Sequence, residues 1–188
     1  ETSLLSTALT ISSGSITEQA QTRPNRVASG NRAQSAGPAD CYQTKDGWIM
    51  VQLIGPHMFK RWTQLVDAPE LLSDVRFKDD LSRGENGAIL SDIMSSWCSQ
   101  FTTEEALVEL EKLKIPVGEV LTPQQVIENE HVVATKQLEA VDFPGLSSPA
   151  LLTAPPFKLS ETPAKKIERA PLLGEHTDSI LQELGYSG

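Results

Sequence analysis

Apolar residues recur along this chain at two spacings, and each spacing predicts a kind of element. At helical spacing, Leu4, Leu5, Ala8, Leu9 and Ile11 predict a helix over Glu1 to Ile16 that begins without a lead-in, so we expect residues upstream of it. Phe59, Trp62, Leu65 and Val66 predict a helix after Gly55-Pro56, and Ile89, Leu90, Ile93, Met94 and Trp97 predict a longer one. Thr102-Thr103-Glu104-Glu105 reads as a capping box, with Thr102 as N-cap and Glu105 three residues on, ahead of Leu107, Leu110 and Leu113. Thr122-Pro123-Gln124-Gln125 repeats that grammar with proline at the first helical position.

Extended spacing marks the strands. Tyr42-Gln43-Thr44, the turn pair Asp46-Gly47 and the run Trp48 to Ile54 predict a β-hairpin. Its second strand is nearly all apolar and is expected to be central and buried on both faces. Ile115 to Leu121 and Leu138 to Phe143 predict further strands. From Leu151 to Arg169 the prolines at 155, 156 and 163 predict an extended tail, followed by a short helix with Ile180, Leu181 and Leu184 that stops at Gly185.

Between Gln21 and Asp40 no apolar period exists, so a long loop is expected there. Loops beyond about 12–15 residues in a compact domain are usually functional or disordered, which makes this segment a site candidate. Within it, Gly30-Asn31-Arg32-Ala33-Gln34-Ser35-Ala36-Gly37 combines small residues, which let backbone N–H groups approach a ligand, with several side-chain donors. A plain linker is the competing reading, and chemistry alone does not choose between them.

Composition changes this picture little. A hydrophobic share of 39%, a charged share of 22% and a net charge of −9 over 188 residues describe a soluble globular chain and set its field against a nucleic-acid partner. An anionic small molecule remains compatible, since local donors can hold it. Cys41 and Cys98 lie too far apart for a zinc or CxxC motif and are read as reduced thiols. No apolar run approaches a membrane span, so no membrane partner is expected and a cytoplasmic location follows by default. Signatures of the GxGxxG, GxxxxGK[ST], GxSxG and HExxH types are absent. His57, His131 and His176 are scattered and are read as surface or capping residues. Asp79-Asp80 and Glu104-Glu105 are adjacent pairs that point apart on a helix and are read as solvated.

Several segments in order carry a resemblance: the opening helix, Tyr42 to Ile54, Pro69-Glu70-Leu71 through Arg76-Phe77, and Ile115 to Val120. Ala154-Pro155-Pro156-Phe157-Lys158-Leu159, Arg169 to Thr177 and the ending Ile180 to Tyr186 complete it. Together they resemble the family III CoA-transferases, the CaiB/BaiF type that includes formyl-CoA transferase.

The resemblance implies an α/β fold: a small α/β domain with a β-hairpin, plus flanking segments of a Rossmann-like large domain. Residues 1–40 would be helix and loop of the large domain and linker, 41–143 the small domain, and 144–188 a tail returning to the large domain. It also implies transfer of CoA from an acyl-CoA to a carboxylic acid through an aspartyl-CoA thioester, with no prosthetic group, in an interlocked homodimer. The nucleophilic aspartate would lie in the half preceding residue 1, so no catalytic residue is assigned here. Gly30, Asn31, Arg32, Ala33, Gln34, Ser35, Ala36 and Gly37 match the family's glycine-rich lid over the acyl group, though not its glycine run. The α-methylacyl-CoA racemases resemble the chain too, but they carry a glutamate where Gly55 precedes Pro56, which favours CoA transfer. A non-catalytic binding module is the remaining alternative.

Overall fold

The computed structural model of the protein describes residues 2–164 and 167–186. The chain divides into two compact units, Glu1–Val120 and Leu121–Gly188.

The first unit opens with α1 (Leu4–Ile11) and α2 (Ser13–Thr22). The Ser3 hydroxyl accepts the Ser6 N–H at 3.1 Å and caps α1. One helix over Glu1 to Ile16 was expected; two form, because the run Ser12-Ser13-Gly14-Ser15 competes for backbone hydrogen bonds and weakens the helix interior. Neither helix buries a residue in this chain.

A three-stranded antiparallel sheet follows, ordered β1 (Ala39–Gln43), β2 (Trp48–Gln52), β3 (Val117–Glu119). Gln43 pairs with Trp48, so the hairpin loop is Thr44 to Gly47, closed by a Thr44 N–H to Gly47 carbonyl bond of 3.0 Å. The Asp46 carboxylate accepts the backbone N–H and the hydroxyl of Thr103 at 2.7 and 2.9 Å, which hold its carboxyl below the usual range. The hairpin tip is thereby tied to the start of α6 (Thr103–Lys112), where the capping box forms as expected.

As expected, β2 is central, with β1 and β3 on either side. Burial on both of its faces is overturned: Ile49, Val51 and Leu53 are 0–1% exposed, whereas Trp48, Met50 and Ile54 are 46–52% exposed. Successive strand residues point to opposite faces, and within this chain the helices cover only one. Those helices are α3 (Pro56–Leu65), α4 (Asp80–Glu85), α5 (Gly87–Cys98) and α6, with 3₁₀ turns at Pro69–Ser73 and Val75–Phe77. Trp62, Phe59, Phe77, Leu90, Met94 and Leu110 meet Tyr42, Ile49, Val51 and Leu53 in one core. The Phe59 and Trp62 rings stack at 5.6 Å, and the Trp62 indole N–H points at the Met94 sulfur.

The second unit holds α7 (Pro123–Glu128), α8 (Glu130–Ala134), the antiparallel pair β4 (Leu138–Val141) and β5 (Ala150–Thr153), and α9 (Thr177–Glu183). Strand β5 falls at the start of the stretch read as an extended tail; it is short and gains its hydrogen bonds from β4 rather than from a pattern of its own. That pairing gathers residues 121–143 and the C-terminal segment within the second compact unit. No described residue of this unit is buried. Among the described residues no helix is long and apolar enough to cross a membrane.

Limited proteolysis of the 188-residue chain should leave a resistant fragment close to 39–117, with early cuts before it and after it. Equal resistance along the chain would overturn this division of stability.

Candidate functional site

The loop from Arg23 to Pro38 is folded on itself. The Arg26 guanidinium donates to both carboxylate oxygens of Glu18 at 2.6 Å and to the Gln34 carbonyl at 2.7 Å. That pairing pulls the Glu18 carboxyl below its ordinary value and raises Arg26. The Gln34 amide donates to the Val27 carbonyl and the Ser29 hydroxyl, Ser29 donates to the Arg32 carbonyl at 2.8 Å, and the Ala33 N–H reaches the Ala39 carbonyl at 2.8 Å. The side-chain amide of Gln34 is thus spent inside the loop.

The eight candidate residues divide by position. Gly30, Asn31 and Ser35 are exposed; Arg32, Ala33 and Gln34 are half-buried; Ala36 and Gly37 are buried and lead through a cis Gly37–Pro38 peptide into β1. Two close approaches fix the loop against α4 and α5. A Cβ on Gly84 would lie 2.4 Å from the Gln34 carbonyl oxygen, and one on Gly37 would lie 2.9 Å from the Arg83 carbonyl oxygen. The Arg32 stem runs over Gly87, at 3.2 Å from where its Cβ would be. Arg26, Arg76, Arg83 and Arg169 each pair with a carboxylate, whereas Arg32 forms no ion pair or side-chain hydrogen bond among the described residues.

The corner from β2 into α3 is the second part of the site. Gly55 has φ 88° and ψ 159°, a backbone region open essentially to glycine alone. Its N–H donates to the Asp80 carboxylate at 2.9 and 3.1 Å, and the Arg83 guanidinium pairs with the same carboxylate at 2.5 Å. Burial opposes charge on Asp80, but the bonds from Arg83 and Gly55 outweigh it and its carboxyl lies below the usual range. Asp80 is therefore no solvated member of an acidic pair. Asp79 is engaged too, capping α4 by accepting the Ser82 N–H at 2.8 Å. Only the three-residue spacing of Asp80 and Arg83 signalled this pair in the sequence, and nothing there pointed to Gly55 as its third member.

The remaining candidates do not assemble. His57, His131 and His176 are exposed, and among the described residues no group of three or more His, Cys, Asp or Glu could hold a metal. Burial pushes the Cys98 thiol up to about 12 and raises Tyr42 as well, which makes both poor nucleophiles. In the second unit the Arg169 guanidinium clamps Glu175, which also accepts the Leu172 N–H at 2.7 Å; its carboxyl is drawn down to about 2, chiefly by Arg169. A recess of about 570 Å³ lies there between Lys136, Glu139, Phe157 and Lys158.

The chain matches the sequence profile of CoA-transferase family III over residues 1–177. It is 29% identical over 160 residues to succinyl-CoA–D-citramalate CoA-transferase of Chloroflexus aurantiacus, covering 85% of this chain and 40% of that protein. The beta subunit of succinyl-CoA–L-malate CoA-transferase from the same organism is 30% identical over 150 residues, covering 79% of this chain and 37% of the subunit. A formyl-CoA:oxalate CoA-transferase of Bradyrhizobium is 39% identical over 95 residues, covering 50% of this chain and 22% of that protein. Among solved structures, a CaiB/BaiF family protein from Brucella suis superposes with TM-score 0.66 at 23% identity, over 93% of this chain and 44% of the other. Rv3272 from M. tuberculosis gives 0.68 at 19% identity, over 92% and 44%. The chain thus spans less than half the length of these relatives.

Gly84→Ala should cost about 1–3 kcal/mol, since its methyl meets backbone that cannot rotate away, while Ser35→Ala should stay within about 0.5 kcal/mol. Asp80→Asn should cost about 1–3 kcal/mol by leaving the buried Arg83 without its carboxylate. Urea unfolding measures all three; a silent Gly84→Ala or Asp80→Asn would contradict the contacts described.

Proposed function

The chain belongs to CoA-transferase family III, and from that premise we propose that it is part of an enzyme that moves CoA from an acyl-CoA donor to a carboxylic acid acceptor. The observation that carries this reading is the match to the family over residues 1–177. In the proposed chemistry an aspartate outside these 188 residues attacks the thioester carbonyl, forming a mixed anhydride and releasing CoA thiolate. The thiolate then attacks the aspartyl carbonyl, freeing the donor acid and leaving an aspartyl-CoA thioester. The acceptor carboxylate repeats the two steps in reverse and leaves with CoA. In this scheme the loop at Gly30 to Gly37 lies beside the acyl group and keeps water from the anhydride.

Racemisation within the same fold is disfavoured by Gly55. The racemases' glutamate at that position would have to adopt φ 88° and ψ 159°, where a residue with a Cβ is strained. Both the family's homodimer and the division into a small domain over 41–143 with flanking large-domain segments belong to this proposal. Some relatives are named as alpha and beta subunits, so the pairing can also be between unlike chains. Several are named for succinyl-CoA as donor.

Incubating the longer protein with donor acyl-CoA and no acceptor should build up a protein-bound CoA thioester, detected by intact mass and released by hydroxylamine. Peptide mapping should place it outside Glu1 to Gly188, and the 188-residue chain alone should form none. An adduct on a residue of this chain would overturn the assignment of the nucleophile. Normal folding of the longer protein with no adduct and no turnover would favour a binding module.

A further inference from the structure

Helix α4 lies between the two parts of the candidate site and touches both. Its last turn seats the loop: the Arg83 carbonyl oxygen lies 2.9 Å from where a Cβ on Gly37 would be, and the Gln34 carbonyl packs on Gly84 closer than any Cβ would allow. Its first turn holds the corner, where the Gly55 N–H donates to both oxygens of the Asp80 carboxylate at 2.9 and 3.1 Å. One pair joins the two turns, the Arg83 guanidinium donating to Asp80 at 2.5 Å. The Arg83 side chain is 3% exposed; it also donates to the Phe77 carbonyl at 2.9 Å, and its guanidinium carbon lies 4.6 Å from the centre of the Phe59 ring. Phe59 in turn donates its backbone N–H to the Gly55 carbonyl. At six residues, α4 is too short to keep its shape by its own hydrogen bonds.

We propose that Asp80 is a positioning residue of the enzyme: paired with Arg83, it joins the Gly30 to Gly37 loop and the Gly55 corner into one rigid piece, so that loosening either loosens both. Without the carboxylate, a buried guanidinium is left with unsatisfied donors, and turning the side chain out to water relieves that cost. Arg83 turns out only if its own turn of α4 moves, and that turn is the surface on which Gly37 and Gln34 rest. The Gly55 N–H loses its acceptor in the same event, and a glycine so released has many other backbone conformations to take. The consequence for the reaction rests on the transferase reading above, in which the loop keeps water from the mixed anhydride. Water that reaches the anhydride splits it into two carboxylic acids, and the donor's CoA leaves as free thiol instead of passing to the acceptor.

The test uses the longer protein and three variants. Asp80→Ala removes the carboxylate, and Asp80→Asn keeps an acceptor for Gly55 while losing the charge opposite Arg83. Asp79→Ala removes the N-cap of the same helix and leaves the Asp80 contacts in place. Hydrogen exchange is read at the Gly55 N–H and at the Ala33 N–H, which bonds the Ala39 carbonyl, with the buried Ile49 as the measure of global opening. Relative to Ile49, Asp80→Ala should speed both amides by about tenfold or more, Asp80→Asn by about three- to tenfold, and Asp79→Ala by less than about threefold. Acceleration of Gly55 alone, or equal acceleration in Asp79→Ala, would overturn the coupling; if Asp80→Ala does not fold, Asp80→Asn carries the comparison. Turnover is read with succinyl-CoA and labelled succinate, as free CoA formed against label incorporated. Asp80→Ala should raise that ratio by about threefold or more, and Asp79→Ala should leave it unchanged. Coupled exchange with an unchanged ratio would keep the rigid piece and overturn its role in excluding water. Should the wild type neither incorporate label nor release CoA, the transferase reading fails, and the exchange comparison decides on Asp80 separately.

Discussion

The guanidinium of Arg83 is the point on which the first unit is hung. Its side chain is 3% exposed, and it reaches the Asp80 carboxylate, the Phe77 carbonyl and the face of the Phe59 ring, the last at 4.6 Å. Through Asp80 it also holds the Gly55 N–H and with it the corner between β2 and α3. Its own carbonyl oxygen lies against Gly37, where the candidate loop enters the sheet. Taking an arginine out of water is costly unless each donor is satisfied, so these segments are not free to shift one at a time. The loop and the Gly55 corner are consequently two ends of one support.

A second constraint comes from what the chain leaves uncovered. The open face of the sheet presents Trp48, Met50, Ile54 and Val120, and α1 presents Leu4, Leu5, Leu9 and Ile11. In the second unit Leu173 is fully exposed on a tip that the Arg169–Glu175 pair keeps in shape. Large apolar side chains in water forgo roughly 1.5–3 kcal/mol each relative to burial. The first unit meets that cost with a core of its own; the second buries none of its described residues.

Local chemistry was legible in the sequence and long-range geometry was not. Both Thr capping boxes, the hairpin, and α3, α5 and α6 follow from residues within one or two turns of each other, and they formed as read. The burial of β2 was misread because an apolar strand reports what would be favourable on each face, not whether this chain supplies a cover. Strand β5 was missed because its four residues depend on β4 for register. Asp80 was taken as solvated because its partners are Arg83 and a backbone N–H 25 residues away, and no periodicity announces a contact at that separation. For the candidate loop, the sequence showed which residues carry donors; that the Gln34 amide is not free was decided by its folding back on Val27 and Ser29.

The structure also narrows how such a loop can act on a substrate. A lid that swings needs hinges at both ends, and here the C-terminal end is embedded: Ala36, Gly37, Pro38 and Ala39 are buried, and the Leu53 N–H holds the Pro38 carbonyl at 3.1 Å. The N-terminal end is tied by Arg26 to both Glu18 and the Gln34 carbonyl. Gly84 leaves no space beneath Gln34 for the chain to sink into. On the proposed function, any movement over the acyl group is therefore confined to Gly30 to Ser35, and the loop acts more as a preformed wall than as a closing flap. On that proposal, a wall excludes water without a folding step in each turnover.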